Sequence, residues 1–336
     1  MAVTLTDVTL REGNHTFNHQ LSAEFVARVV AGMDTAGVDI IEVGHGDGLG
    51  GSSKQVGFAA ATDEEYLRAA VGAVTTSRIG CIMVPGIGTL RDIEKAAEIG
   101  AKVVRVGVHC TEADTGEQHI KLSLDLGLTT IGHLVNCSMT TPEILVEESR
   151  KLADYGVHTV VLADSVGELL PDGVAERVAA IREVVDVQVG FHGHNSMGCA
   201  VANSLAAVRH GATMVDGALR GLGGGAGNTQ TEALVAALAR AGTPTNVDLL
   251  ALLEVVDNVF APEVGDAPII DSESLLLGYS GVYGGYVNPI RREASRLNLD
   301  ARDIIMELGA RRIVAGQEDV VIEVARELAV AKTRQG

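Results

Sequence analysis

What most constrains this chain is a rhythm. Short runs rich in Val, Ile and Thr recur eight times across residues 1–245, at Thr4–Leu10, Val38–Val43, Ile79–Val84, Val103–Val108, Thr129–Val135, Thr159–Ala163, Val187–Phe191 and Thr213–Asp216. Longer stretches with helical periodicity separate them, among them Ser22–Ala36, Thr89–Ile99, Thr141–Tyr155, Leu170–Val184 and Val201–His210. Gly37, Gly100, Gly156 and Gly211 stand at the ends of four of these, where a left-handed residue can close a helix. Such alternation implies parallel strands joined by crossover helices. Eight units favour a closed barrel over an open doubly wound sheet, whose phosphate-loop and dinucleotide signatures are missing. The glycine-rich Gly221–Gly227 is alone a weak phosphate signal and reads equally well as a tight loop at the barrel mouth.

The rhythm stops near Pro244. Helical patterns follow at Val247–Val259, Asp271–Leu277, Arg291–Arg296, Ala301–Leu308 and Glu318–Ala331, interrupted by the small and aromatic cluster Gly278–Val287. The expected fold is therefore α/β, a (β/α)8 TIM barrel over residues 1–260 with a C-terminal helical appendage over 261–336. Composition agrees. Hydrophobic residues make up 46% of the chain, yet aromatics only 3% and tryptophan is absent. A core made this way must be filled by Val, Ile, Leu and Ala, the residues that fill barrel interiors.

A formal net charge of −18 repels nucleic acid and anionic membranes, so neither is expected as a partner. The four cysteines, Cys81, Cys110, Cys137 and Cys199, are widely spaced and read as small buried thiols in a reducing compartment. The first residues lack a basic segment followed by an apolar one, and no apolar run approaches a membrane span. A cytoplasmic location is expected.

In a parallel barrel, reactive groups sit where strands end. Those positions hold Arg11, Glu12, Asn14 and His15 after the first strand, His45 and Asp47 after the second, and His109, Glu112 and Asp114 after the fourth. Asp164 and Ser165 follow the sixth, and Asp216, Arg220 and Asn228 the eighth. His192 and His194 close the seventh. Residues two apart on a strand face the same side, so these imidazoles can chelate one cation. A carboxylate from a neighbouring strand end would complete a two-His-one-carboxylate site, and Glu12 is best placed. An isolated H-x-H would otherwise be read as satisfied polar groups. His45, Asp47, His109 and Glu112 read as loop scaffolding, Tyr279 as packing.

The stretches D-V-T-L-R-E-G (Asp7–Gly13) and F-H-G-H-N (Phe191–Asn195) resemble the pyruvate-aldolase and Claisen-condensing barrels of the HMG-CoA-lyase-like superfamily. Within it the chain is most similar to the 4-hydroxy-2-oxovalerate aldolase family. The resemblance runs through Gly44–Ser53, Val84–Thr89, Val108–Asp114, Gly225–Thr229, Gly278–Tyr283 and Gly316–Asp319, nearly the whole length. It implies a class II pyruvate aldolase that cleaves a 4-hydroxy-2-oxo acid to pyruvate and a short aldehyde by way of a metal-stabilised pyruvate enolate. Glu12, His192 and His194 match the metal ligands, with Mn²⁺ as the expected ion and Mg²⁺ or Co²⁺ as alternatives. Arg11 matches the arginine that stabilises the enolate, His15 the base on the 4-hydroxyl, and Tyr283 the tyrosine that helps position substrate. His19, Asn195 and Asn228 are expected to bind substrate or support these groups, and Ile82 and Val84 to shape the aldehyde pocket. The appendage matches a communication domain through which such aldolases form oligomers with an acylating acetaldehyde dehydrogenase and channel the aldehyde to it, in the catabolism of aromatic compounds.

Three positions depart from that family: Glu12 where aspartate is usual, Asn14 where serine is usual, and Asn195 where a further histidine is usual. Glu12 and the H-G-H-N run lean towards a Claisen-type acyltransferase of the homocitrate or isopropylmalate synthase kind, and that reading stays open. A non-catalytic partner subunit of an aldehyde dehydrogenase is a third, which the Arg11, Glu12, His15, His192 and His194 set opposes.

Overall fold

The computed structural model describes residues 2–54, 56–266, 268–314 and 316–335. Eight parallel strands close into a barrel in sequence order: β1 (Thr4–Leu10), β2 (Ile40–Val43), β3 (Arg78–Met83), β4 (Val103–His109), β5 (Thr129–Val135), β6 (Thr159–Asp164), β7 (Gln188–Gly193) and β8 (Met214–Gly217). The ring shuts where Thr4 to Asp7 of β1 pair with Met214 to Gly217 of β8. Around it run α1 (Ala23–Thr35), α2 (Asp63–Ala73), α3 (Leu90–Ile99), α4 (Glu117–Asp125), α5 (Pro142–Asp154), α6 (Pro171–Arg182), α7 (Ala200–Arg209) and α8 (Thr231–Arg240).

Both faces of each strand are buried, which is why the strands read as β-branched runs rather than strict alternations. The outward side chains, such as Leu5, Ile41, Val104 and Val189, join helix residues including Phe25, Val29 and Ile93 in one large apolar cluster. The inward side chains form layers. Ile40, Val103, Ile131, Val161 and Met214 make a separate apolar layer inside the barrel. Two residues further along the same strands stand Glu42, Arg105, His133, Ala163 and Asp216, and these face inward too. His192 is level with them, in register with Ala163. An apolar floor thus carries a charged layer beneath the mouth.

β1 breaks its own alternation. Its pairing with β2 shifts register between Asp7 and Leu10. Leu10 therefore packs among the helices, while Arg11 turns inward to bond Glu42. Irregularities of this type re-aim side chains next to functional sites.

After the barrel come α9 (Leu249–Val255), a wide helical turn (Val256–Phe260) and α10 (Ala261–Val264). Val255, Val256 and Phe260 belong to the barrel cluster. Then follow α11 (Ser272–Ser280), α12 (Val287–Leu297), α13 (Ala301–Ala310) and α14 (Glu318–Gln335). These have an apolar core of their own, with Leu277, Val282, Tyr286, Ile290, Ile304, Leu308, Val321 and Val324 at its centre. No helix among the described residues is long and apolar enough to cross a membrane. Two expectations need correction. Cys199 is half-buried, unlike the other three cysteines. Tyr279 does not pack inside: it is 66% exposed on α11.

Candidate active site and metal centre

The turn after β1 (Glu12–Phe17) delivers three of the expected residues. Arg11 is buried, donates from Nε to Glu42 and from Nη1 to Glu12, and reaches the carbonyl oxygen of Gly46 at 3.2 Å. Burial opposes the charge on Glu12, but Arg11, His15 and His194 hold its carboxyl well below the usual carboxylate range. Glu12 Oε1 lies 3.8 Å from His194 Nε2, and Oε2 lies 4.0 Å from His15 Nε2.

His192 and His194 face each other edge to face with ring centroids 5.1 Å apart. His192 Nδ1 is 3.0 Å from Asp216 Oδ2. An ionised carboxylate only accepts, so Nδ1 carries the proton and Nε2 offers its lone pair. Asp216 is kept ionised despite its burial by Arg105 and His192. Burial pushes the His194 imidazolium down to about 4 against the pull of Glu12, so this ring is neutral at physiological pH, as a ligand must be.

The donor set fits a divalent cation. Glu12, Glu42 and Asp216 outnumber Arg11 and Arg105 in one linked cluster, which leaves negative charge in excess. Asn228 is buried beside His194 through a backbone bridge, and its Oδ1 has no hydrogen-bond partner, although Nδ2 donates to Leu222 O at 2.7 Å. An orphaned buried acceptor at a strand end is what a cation or its water would satisfy.

A second histidine group lines the other side of Glu12. His15, His19 and Asp47 each place one donor atom within 4.8 Å of the others. This is a tighter trio than the expected ligand set, yet His19 already commits one ring nitrogen to the backbone. His19 Nδ1 accepts the Gly46 N–H at 3.2 Å. Burial and the neighbouring His15 and His45 push His19 down to about 3. His19 stacks on His45 at 3.6 Å and meets His15 edge to face at 4.9 Å. His45 in turn accepts the Asp47 N–H on Nδ1 and faces Gly57 O with Nε2. These two rings are a fixed wall behind His15 rather than ligands.

Tyr283 comes from the appendage. Burial raises its phenol well above the usual value, and the charges on Glu12 and Asp47 raise it further, which places this hydroxyl within their field as a neutral donor. Gly285 keeps the ring there, since a Cβ at this position would lie 2.4 Å from Tyr283 Cε1.

Ile82 and Val84 stand at the end of β3 and both lie 3.4 Å from where a Cβ on Gly107 would be, so they border space above that glycine. Asn195 is turned away: its side-chain oxygen accepts the Ala200 N–H at the start of α7. Asp164 likewise shapes its own loop, accepting from the Gly167 and Leu169 backbones.

Sequence reasoning passed over Glu42, Arg105 and His133. Each sits within a strand rather than at its end. A charged residue in a run that is otherwise Val, Ile and Leu was the available signal, since an uncompensated charge cannot be buried there.

Known proteins resemble this chain over nearly its whole length. The HMGL-like family profile matches residues 2–259, and the DmpG-like communication domain profile matches residues 268–330. A 4-hydroxy-2-oxovalerate aldolase of Carboxydothermus hydrogenoformans is 50% identical over 98% of this chain and 98% of its own length. Proteins of the same name from Rhodococcus opacus and Moorella thermoacetica are each 48% identical, over 97% and 98% of this chain and 94% and 97% of their own lengths. Among solved structures, the carboxyl transferase domain of Rhizobium etli pyruvate carboxylase with oxamate and biotin superposes with a TM-score of 0.82. It is 18% identical, covering 98% of this chain and 61% of that one, which speaks for the fold alone.

Proposed function

Because the chain belongs to the 4-hydroxy-2-oxovalerate aldolase family of HMGL-like barrels, we propose that it is a class II pyruvate aldolase cleaving 4-hydroxy-2-oxovalerate, or a close 4-hydroxy-2-oxo acid, to pyruvate and a short aldehyde. The observation that carries this reading is the gathering of Arg11, Glu12 and His15 around His192 and His194.

Glu12, His192 and His194 would hold a divalent cation, with Asn228 as a further donor and Mn²⁺ as the preferred ion over Mg²⁺ or Co²⁺. When bound, that cation acts as a Lewis acid on the 2-keto group. His15, backed by His19, accepts the proton of the 4-hydroxyl. The electrons of that O–H bond form the aldehyde carbonyl as the C3–C4 bond breaks, and the C3–C4 pair becomes the enolate of pyruvate. Arg11 lies beside the developing oxyanion as a permanent cation whose orientation is already fixed by Glu42 and Gly46. Tyr283, kept protonated, donates a hydrogen bond near His15 and orients the hydroxyl. Protonation of the enolate at C3 completes pyruvate. Among the described residues no lysine is buried, which agrees with a reaction that needs no Schiff base.

The appendage supports association with an acylating acetaldehyde dehydrogenase. Ile269, Leu275 and Tyr279 are 76%, 45% and 66% exposed, and Leu275 and Tyr279 share one face of α11. A stable interface there would bury at least about 1,000 Å².

The test is the purified chain with Mn²⁺ and a panel of 4-hydroxy-2-oxo acids, with pyruvate detected by a coupled dehydrogenase. Pyruvate and aldehyde should form, chelation should stop the reaction, and Mn²⁺ should restore it. Release of free coenzyme A from an acyl-thioester and a 2-oxo acid, with no aldehyde formed, would instead favour Claisen chemistry.

A further inference from the structure

The proposed activity uses His192 on β7 and Arg11 after β1, the strands that flank β8 on either side. One layer below the mouth, a continuous line of charges joins them. His192 Nδ1 donates to Asp216, and Asp216 receives both terminal nitrogens of Arg105, with Nη2 at 3.2 Å. The Nε edge of Arg105 lies 3.1 Å from Glu42 Oε2, a charge contact whose angle falls short of a hydrogen bond. The other oxygen of Glu42 accepts from Arg11 Nε.

Among the described residues Arg105 is one of the largest fully buried side chains, 1% exposed. A buried guanidinium is tolerated only when paired and hydrogen-bonded. Here it spends its fork on Asp216 and its opposite edge on Glu42, while His133 Nδ1 accepts from Nη1 at 3.1 Å. The apolar layer beneath shows that the barrel interior needs no charge in order to pack. The line has ends in both halves of the reaction chemistry and passes through one residue.

We propose that Arg105 is a positioning residue that couples the two halves of the site, fixing the tautomer and aim of His192 through Asp216 and the guanidinium of Arg11 through Glu42. The proposal rests on the aldolase reading for the reaction it serves. A planar fork is required for this: an ammonium at the same place is a point charge that can serve one carboxylate but not span two.

The experiment compares Arg105→Met, Arg105→Lys, Asp216→Asn and Glu42→Gln in the full chain. Three quantities are measured: Mn²⁺ affinity of the metal-stripped protein by calorimetry, exchange of the pyruvate methyl protons, and aldol cleavage. Asp216→Asn should weaken Mn²⁺ binding about 10–100-fold, as loss of a partner to a ligating histidine typically does. Glu42→Gln should leave Mn²⁺ affinity within about threefold and slow exchange and cleavage together, by about 100-fold, because it loosens one transition-state donor. Arg105→Met should show both defects at once, and Arg105→Lys should recover Mn²⁺ affinity more than turnover. A purely structural role would lower the thermal midpoint of Arg105→Met and leave the affinity of the folded fraction unchanged. The proposal is overturned if folded Arg105→Met binds Mn²⁺ and exchanges pyruvate protons as the unaltered chain does. Should Arg105→Met not fold, it is overturned if Asp216→Asn and Glu42→Gln leave all three quantities unchanged. If the chain cleaves none of the acids, the aldolase reading fails by itself, and the Mn²⁺ titrations still decide the coupling.

Discussion

Replacing Gly46 by alanine should disable cleavage without disturbing the fold. Gly46 does not have a left-handed backbone, so alanine is conformationally allowed. The obstacle is His15. A Cβ on residue 46 would lie 2.5, 2.5 and 2.6 Å from Cε1, Nε2 and Cδ2 of its ring, where ordinary contact begins at 3.4 Å. The imidazole must retreat by about 0.9 Å, and His19, stacked on His45, blocks the way behind it. Displacing a catalytic group by roughly 1 Å costs about 100-fold in rate. Gly46→Ala keeps the backbone groups that serve Arg11 and His19. Aldol cleavage should therefore fall about 100-fold while exchange of the pyruvate methyl protons, which needs the enolate half of the site, falls much less. The assay is steady-state pyruvate release alongside proton exchange followed by NMR. Cleavage within about fivefold of the unaltered chain, or equal losses in both reactions, would refute the placement of the base at His15.

Arg11→Lys keeps the charge but not the fork that Glu42, Glu12 and Gly46 align; turnover should drop about 100-fold or more with KM little changed, checked by steady-state kinetics. Glu12→Ala should abolish tight Mn²⁺ binding in calorimetry, whereas Glu12→Asp should retain it in weakened form; unchanged affinity in Glu12→Ala would remove this carboxylate from the ligand set. Asp34 ties α1 to the segment before β3 through bonds from Thr75, Thr76 and Ser77, and these hold its carboxyl well below the ordinary 3.8 against the effect of burial. A depressed folded pKa adds stability above the unfolded value and loses it as pH falls. Asp34→Asn should thus cost roughly 2 kcal/mol at pH 7 in denaturant melts, with the gap to the unaltered chain narrowing as pH drops below about 4; a gap independent of pH would contradict the assignment.

The barrel was legible because its evidence is local and repeated. β1 and β5 have the bounds that their β-branched runs suggest, and helices close near the glycines expected of them. α2, α4 and α8 left weaker traces, since their apolar stripes are interrupted by Asp, Glu, Lys and Ala. The mouth residues were legible as types at strand ends: Arg11, Glu12, His192 and His194 come together, while Asn195 turns to α7. What a linear reading could not give is who faces whom across the ring. Arg105 and Asp216 are separated by 111 positions, and Glu42 and Arg105 belong to strands that do not pair with each other. Their partnership exists only once the sheet has closed.

The register shift in β1 carries a consequence for engineering and descent. Polarity at this strand end is set by a count of residues. A regular strand of the same length would send Arg11 out among the helices and bring Leu10 into the barrel, whereas a strand one residue shorter, lacking Val8 or Thr9, would restore their present facing without the irregularity. A library that scans only substitutions keeps that count fixed and would not show that the facing of Arg11 depends on it. Grafting this mouth onto another eight-stranded scaffold therefore means carrying over the irregular strand together with the residues it presents.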